Sequence, residues 1–513
     1  MLSMLRSLRL SALAQSHWLR DALFVLLALL LVLLYVQVGG GGFPLDDSWI
    51  HQVYGRNLGE RGEWAFIPGE PSGASTSPLY TVLLAVGYAL NVPYVFWTHL
   101  LGVLALASTA MLGARLVRLW VPDVPWLAWI AGLALLLTWH LVWAAASGME
   151  TMLFCALTLL LIWLAARASL TAADGLAFGA ASALAIATRP EGALLAGLCG
   201  LMVLVVHRQA VLQWCMGVVI GFAVFIAPYL LLNLELTGGL LPTTAAAKQA
   251  QHAPLLALPL LDRLVDLQLP VIVGGQVFLL PGALYATTRR RPFLLLPLLW
   301  AAGLILLYAL RLPAAYQHGR YVMPVLPGLV VLGTVGTYYL LHAALWRSIG
   351  QRLGEAAAGV LGRVITRTLL LSTALTFVYF GVLLGPTIYR QDVRIIEEEM
   401  VASAEWIAAN LPPEDLLAIH DIGAVGYFAP RPMLDVAGLV TEEVVPLIGD
   451  ADGLWALIQA RDARYLMAFP DQIPGHDPDD PRLCFLYQTP GMASTQVGGP
   501  KMVIYRLAWD SVC

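Results

Sequence analysis

Lysine is nearly missing from this 513-residue chain: only Lys248 and Lys501 occur, so arginine supplies 27 of the 29 basic side chains. Charge of either sign is scarce, at 12% of residues. A soluble globular domain carries about 25% charged residues, so that class is excluded for the chain as a whole. The net charge of −4 is too mild to point to nucleic acid as a partner. Cysteine is also sparse, and the five present have no metal-ligand spacing. Cys155, Cys199 and Cys215 lie in apolar runs as small packing residues. Cys484 and Cys513 fall in the polar C-terminal region and would pair if it faces an oxidising compartment. No internal repeat or low-complexity array is present.

What is there is apolar: 59% of residues are hydrophobic. The composition reads as a polytopic α-helical membrane protein with one small soluble domain. Arg6, Arg9 and Arg20 precede an apolar run over 22–38 that is too long for a signal-peptide core and lacks a good cleavage site, so it reads as an uncleaved helix. Spans of about 20 apolar residues give about eleven crossings. They are expected near 21–38, 95–117, 124–145, 151–167, 174–188, 192–206, 211–233, 269–287, 293–310, 321–342 and 368–386. The run 79–90 is only about 12 residues long, so it is read as lying in the interface rather than crossing.

Short loops rich in arginine stay cytoplasmic. With the N-terminus inside, the basic turns at Arg115/Arg118, Arg167, His207/Arg208, Arg289–Arg291 and Arg347/Arg352/Arg363/Arg367 all fall inside. Asp46, Asp47, Glu150, Arg189, Glu191, Lys248, His318 and Arg320 all fall on the outer face. The chain divides at about 389/390 into a membrane domain (1–389), whose first outer loop is 39–94 with juxtamembrane helices, and an extracytoplasmic α/β domain (390–513). In the latter, strands are expected at 416–420, 433–435, 465–468 and 502–506, with helices at 397–410 and 454–460.

The outer-face groups are of two kinds. Asp46, Asp47, Glu150 and Glu191 accept protons, orient hydroxyls or bind a cation; Arg189, Arg320 and Lys248 hold anions, arginine offering a fork that fits phosphate. Acids and phosphate-binding bases at a membrane surface suit a lipid-phosphate substrate, with one carboxylate as general base and cations on a departing phosphate. Each residue also has a plain structural reading. The adjacent acids could cap the helix over 50–58. Glu150 and Glu191 sit where the macrodipole favours acids. Arg189 and Arg320 could snorkel, His318 could be an interface histidine, and Lys248 could cap a loop. Trp49 fits an interfacial belt as well as a sugar-stacking platform.

The stretch Asp46-Asp-Ser-Trp-Ile-His-Gln-Val-Tyr54-Gly-Arg56-Asn57, with Gly62-Glu-Trp-Ala-Phe-Ile-Pro-Gly69-Glu and Thr76-Ser-Pro78-Leu, resembles the first outer loop of GT-C superfamily glycosyltransferases. Lipid-linked arabinofuranosyltransferases and the mannosyl/aminoarabinose transferase group are the nearest in flavour. Ser147-Gly-Met-Glu-Thr151, Thr188-Arg-Pro-Glu-Gly192, Gly238-Gly-Leu-Leu-Pro242 with Lys248, and Gly319-Arg-Tyr321 with Pro324 are similar to family motifs. So is Asp421-Ile-Gly-Ala-Val-Gly-Tyr-Phe428 with Asp435-Val-Ala-Gly-Leu439. Any one motif is weak; the ordered set spans nearly the whole chain.

The resemblance implies an inverting membrane glycosyltransferase. It would move a hexosyl or pentosyl unit from a polyprenyl-phosphate donor to an extracytoplasmic glycan, lipid or protein acceptor in cell-envelope assembly. It puts the general base at Asp46. Many relatives have Glu second, where this chain has Asp47, whose role is acceptor binding or metal binding. It puts Arg320 on the donor phosphate and Lys248 beside the donor site; Arg189 joins them as a phosphate-binding candidate by its charge, and Glu150, Glu191, His318, Tyr54 and Trp49 are sugar- and acceptor-binding candidates. Metal use varies across the superfamily, so a divalent cation (Mg or Mn) on Asp46 and Asp47 is allowed, and no other cofactor is implied. A transporter or flippase is the rival reading, but it would place acids near the bilayer midplane and show two related halves. A non-catalytic assembly scaffold ranks last, because the acids are all present.

Overall fold

The computed structural model describes residues 17–167, 169–207, 211–239, 244–289, 291–342, 355–509 and 513. Arg6, Arg9, Arg208, Arg290, Arg347 and Arg352, and positions 240–243 of the Gly238–Pro242 motif, lie outside them.

The apolar runs form helices because a backbone in hydrocarbon must satisfy its own hydrogen bonds. Among the described residues six helices are long and apolar enough to cross a bilayer: His17–Gly39, Tyr94–Trp120, Leu212–Leu236, Pro292–Arg311, Tyr316–Leu341 and Gly362–Asn410. A seventh, Pro125–Leu136 with Trp139–Ala146, is bent by 57°. The other expected crossings differ in form. Thr151–Ala166, Ala172–Thr188 and Gly192–Val206 are helices of 15 to 17 residues, about 24 Å long at 1.5 Å per residue and short of an apolar core of about 30 Å. The run at 269–287 is broken at Gly274, whose φ of +128° is open mainly to glycine. Pro78–Ala89 is a 12-residue helix, as the interface reading expects.

Two ends of the bundle differ in chemistry. Arg115 and Arg118 at the end of Tyr94–Trp120 meet His17, Arg20 and Trp163 at one end. At the other, His17–Gly39 turns at Gly40 and Gly41 into the helix Asp46–Arg61. A strand pair follows, β1 (Ala65–Ile67) and β2 (Glu70–Pro71).

The last span runs without interruption through 389/390, the expected domain boundary, to Asn410, with π-helical turns at Tyr379–Leu384 and Glu397–Val401. It leads into a mixed five-stranded sheet: β3 (Leu417–Ile419), β4 (Met433–Asp435), β5 (Tyr465–Ala468), β6 (Leu483–Gln488) and β7 (Val503–Leu507). Their order is β4-β3-β5-β7-β6; β3 is parallel to β4 and β5, whereas β7 is antiparallel to β5 and β6. Strand β6 has no counterpart in the sequence reading. Cys484 on β6 is disulfide-bonded to Cys513.

The α/β domain shares its core with the segment 39–94 that follows the first span. Phe43, Trp49, Ile50, Val53, Tyr54 and Phe66 are buried with Ile396, Met400, Ile419 and Val425. Full burial of a large apolar side chain is worth about 1.5–3 kcal/mol, so this shared core fixes where the sheet sits above the helices.

Candidate functional site

The helix Asp46–Arg61 has two carboxylates in its first turn. Successive helical side chains diverge by about 100°, so the two cannot face the same way. Asp46 turns toward the α/β domain. Its Oδ2 accepts from Gly423 N–H at 2.7 Å and its Oδ1 from Ala424 N–H at 2.8 Å. These are the first residues of the helix Gly423–Phe428. Ten residues on, Arg56 donates to the Gly426 and Tyr427 carbonyls at the other end of that helix (3.2 and 3.0 Å). One helix thus offers an acid to the other's positive end and a base to its negative end. At position 423 any Cβ would run into the Asp46 backbone oxygen, so glycine is required there. Burial pushes the Asp46 carboxyl up and the nearby Asp421 charge pushes further. The two backbone N–H groups only partly offset this, leaving it at about 7.

Asp47 faces the other way, into a cavity of about 490 Å³. Arg320 donates a short hydrogen bond to its Oδ2, and Lys248 Nζ lies 3.6 Å from the same oxygen. Burial alone would raise the Asp47 carboxyl; the Lys248 and Arg320 cations outweigh it and hold it well below the usual carboxylate range. Lys248 comes from the helix Thr244–Gln251. Arg320 follows three residues with left-handed backbone, Gln317, His318 and Gly319 (φ +54°, +57° and +65°), a strained turn that aims it inward. The Arg320 side chain is only 3% exposed. Its Nε and Nη1 are buried without a hydrogen-bond partner. Orphaned donors on a buried cation are costly, and a ligand anion is what would satisfy them.

Arg189 and Glu191 cap the next part of the wall. Arg189 donates to Glu150 at 3.1 Å, contacts Glu191 at 3.5 Å and donates to the Tyr308 hydroxyl at 2.9 Å. His51 Nε2 is 3.2 Å from the other Glu150 oxygen. Burial raises the Glu150 carboxyl, but the His51 hydrogen bond and the Arg189 charge more than reverse this and bring it to about 2. Both Glu150 and Asp47 are therefore ionised at neutral pH. The α/β domain reaches the same cavity through Leu439, and Gln251 holds that loop by donating to the Ala437 carbonyl at 3.0 Å.

Six of the ten residues singled out in the sequence thus line one cavity: Asp47, Glu150, Arg189, Glu191, Lys248 and Arg320. The other four do not. Asp46 is spent on Gly423 and Ala424. Trp49 is buried in an aromatic cluster with Phe43, Tyr427 and Phe428, which removes it as a sugar platform. The Tyr54 hydroxyl is 2.6 Å from Ser72 Oγ in the domain core. His318 is 2.7 Å from Asp392 and edge-on to Trp139 and Trp143. Added to the wall are His51, Tyr308, Tyr321 and Arg311. His51 was detectable, being four residues, one helical turn, beyond Asp47.

The donor set does not fit a divalent cation. Asp46 and Asp47 point to opposite sides, Asp47 is committed to two cations, and no group of three His, Cys, Asp or Glu among the described residues could hold one.

Residues 386–505 match a family described as a domain of unknown function (DUF8728). No curated protein sequence matches the chain. Solved structures do. ArnT from Cupriavidus metallidurans bound to undecaprenyl phosphate is similar over 95% of this chain and 98% of its own, at 16% identity and a TM-score of 0.64. The oligosaccharyltransferase of Archaeoglobus fulgidus in its apo form is similar over 97% of this chain and 76% of its own, at 11% identity and a TM-score of 0.56. The archaeal oligosaccharyltransferase AglB from the same organism, with an inhibitory peptide and a dolichol-phosphate, follows at 10% identity over 96% of this chain and 75% of its own, with a TM-score of 0.52. At these identities the likeness establishes the fold alone, which the chain shares with these structures.

Proposed function

We propose that the chain is a membrane glycosyltransferase that takes a sugar from a polyprenyl-phosphate donor and passes it to a hydroxyl-bearing acceptor outside the cytoplasm. The observation that carries this is the buried Arg320, two of whose nitrogens lack partners at a cavity wall shared with Lys248 and Asp47. The fold adds support, since the similar ArnT and AglB structures hold undecaprenyl phosphate and dolichol-phosphate. The charged cavity sits at helix ends rather than at their middle, which does not favour a transporter.

In this reading Arg320 and Lys248 hold the donor phosphate, which draws them off Asp47. The freed Asp47 carboxylate accepts the proton of the acceptor hydroxyl as its oxygen attacks the anomeric carbon. The bond from that carbon to the phosphate oxygen breaks, its electron pair leaves with the phosphate, and the two cations stabilise the charge. Attack opposite the leaving group inverts the anomeric centre. Asp47 takes the base role in place of Asp46 because Asp47 lines the cavity and Asp46 has both oxygens committed elsewhere. Glu150 and Glu191, held by Arg189 and His51, orient sugar hydroxyls. Leu439 and its loop form the acceptor side. The Cys484–Cys513 disulfide supports an oxidising, extracytoplasmic setting for the α/β domain.

The test is incubation of the purified protein with a panel of polyprenyl-phosphate sugars and a cell-envelope extract as acceptor, following release of free polyprenyl phosphate. Release with at least one donor is expected. No release with any donor, together with no binding of polyprenyl phosphate, would overturn the reading.

A further inference from the structure

The end of the bundle remote from Asp47 carries a second charged cavity, of about 300 Å³, where three helices finish. His17–Gly39, Tyr94–Trp120 and Thr151–Ala166 supply Arg20, Arg115, Arg118 and Trp163. At 23 residues the first of these is about 34 Å long, so this cavity and the Asp47 cavity lie at opposite ends of a span. Its charges do not balance. Asp21 accepts from Arg20 at 3.1 and 2.8 Å and from Arg115 at 3.3 Å, so one carboxylate serves two guanidiniums. Arg118, exposed at the rim, has no carboxylate partner among the described residues. The guanidinium of Arg167 lies over the Trp163 ring at 4.1 Å.

We propose that this cavity binds the phosphodiester headgroup of an anionic membrane lipid, in the leaflet opposite the one where the reaction takes place. Three arginines against one acid leave a net positive pocket, and guanidinium forks match phosphate oxygens. Basic pockets between helices at a membrane face are where such headgroups bind. A lipid suits the site better than a free phosphate for two reasons. Trp18, 79% exposed, and Trp163 mark the depth of the interface. On the same helix as Arg20, the exposed Leu23, Leu26, Leu30 and Leu33 continue along the span as a surface for acyl chains. The site is separate from the transfer cavity and shares no residue with it.

The full-length protein in uncharged detergent is melted alone and with phosphatidylglycerol, phosphatidylcholine or soluble glycerol phosphate, beside the variants R115A/R118A and R118Q. Phosphatidylglycerol is expected to raise the wild-type Tm by several degrees while the other two additions leave it unmoved. R115A/R118A should melt like the wild type in detergent alone and lose the response; R118Q, at an exposed position, should show it reduced and serves if the double variant does not fold. A response to phosphatidylglycerol that survives in both variants would overturn the proposal. So would equal stabilisation by glycerol phosphate or by phosphatidylcholine.

Discussion

Asp46 and Gly423 are 377 residues apart in sequence, yet the Asp46 carboxylate caps the Gly423 N–H at 2.7 Å. With Ala424 N–H at 2.8 Å and Arg56 on the far end of the same helix, this fastens the α/β domain to the helix Asp46–Arg61. The acid that heads the loop motif therefore works as a clamp, and its neighbour Asp47 faces the cavity.

Removing the clamp should loosen the domain without emptying the cavity. Such hydrogen bonds are worth about 0.5–1.5 kcal/mol each where the Asp46 carboxyl is protonated and about 1.5–3 kcal/mol each to a charged group such as Arg56, so D46A and R56A should lower the Tm and expose 411–435 to limited proteolysis. Wild-type cleavage kinetics in both variants would contradict the clamp.

The elevated Asp46 carboxyl makes docking pH-dependent. Burial and Asp421 favour the protonated form in the folded state, at about 7 against an ordinary 3.8. The stabilising proton is thus fully present below about 4 and lost as pH rises through about 7. Between pH 5 and 8 the Tm should fall with rising pH, and D421N, which removes the neighbouring charge, should flatten that slope. An equal slope in wild type and D421N would count against the coupling.

Arg320 should dominate donor affinity. Losing its charge-assisted bonds to phosphate, about 1.5–3 kcal/mol each, predicts a drop of about 10- to 100-fold in polyprenyl-phosphate binding by R320A. R320K should recover only part, since lysine lacks the fork. Binding within twofold of wild type would move the phosphate elsewhere.

The Cys484–Cys513 bond closes a stretch of 29 residues. A loop of that size is worth about 3.6 kcal/mol, so C484S/C513S should melt lower than wild type. The wild-type chain taken from cells should shift on a non-reducing gel after reduction. A chain that carries two free thiols there when isolated would contradict the extracytoplasmic placement.

Much of this was legible in the residues. The apolar runs, the gathering of Asp47, Glu150, Arg189, Glu191, Lys248 and Arg320 at one end of the bundle, and the strands Met433–Asp435 and Tyr465–Ala468 follow from composition and patterning. Which of Asp46 and Asp47 faces the cavity was not, because a 100° difference on one helix acquires meaning only once Gly423 has packed against it. Tyr308 was hidden inside an apolar run that reads as bilayer-facing, although its hydroxyl meets Arg189. Strand β6 escaped because a bulge between Phe485 and Tyr487 breaks its alternation, with Phe485 and Leu486 both exposed. The break at Gly274 and the bend before Trp139 fall within continuous hydrophobic sequence, where hydropathy carries no sign of a turn.

The central claim is that Asp47 takes the acceptor's proton while Asp46 holds the domain. It is tested most directly by polyprenyl-phosphate release from the sugar donor, measured side by side for wild type, D47N and D46N. Loss of a general base costs about 10²- to 10⁴-fold. The account predicts that loss for D47N, with donor binding retained because Arg320 and Lys248 remain, and transfer within about tenfold of wild type for D46N, the size of one 1.4 kcal/mol positioning loss. Near-full transfer by D47N, with D46N inactive and still folded, would contradict it.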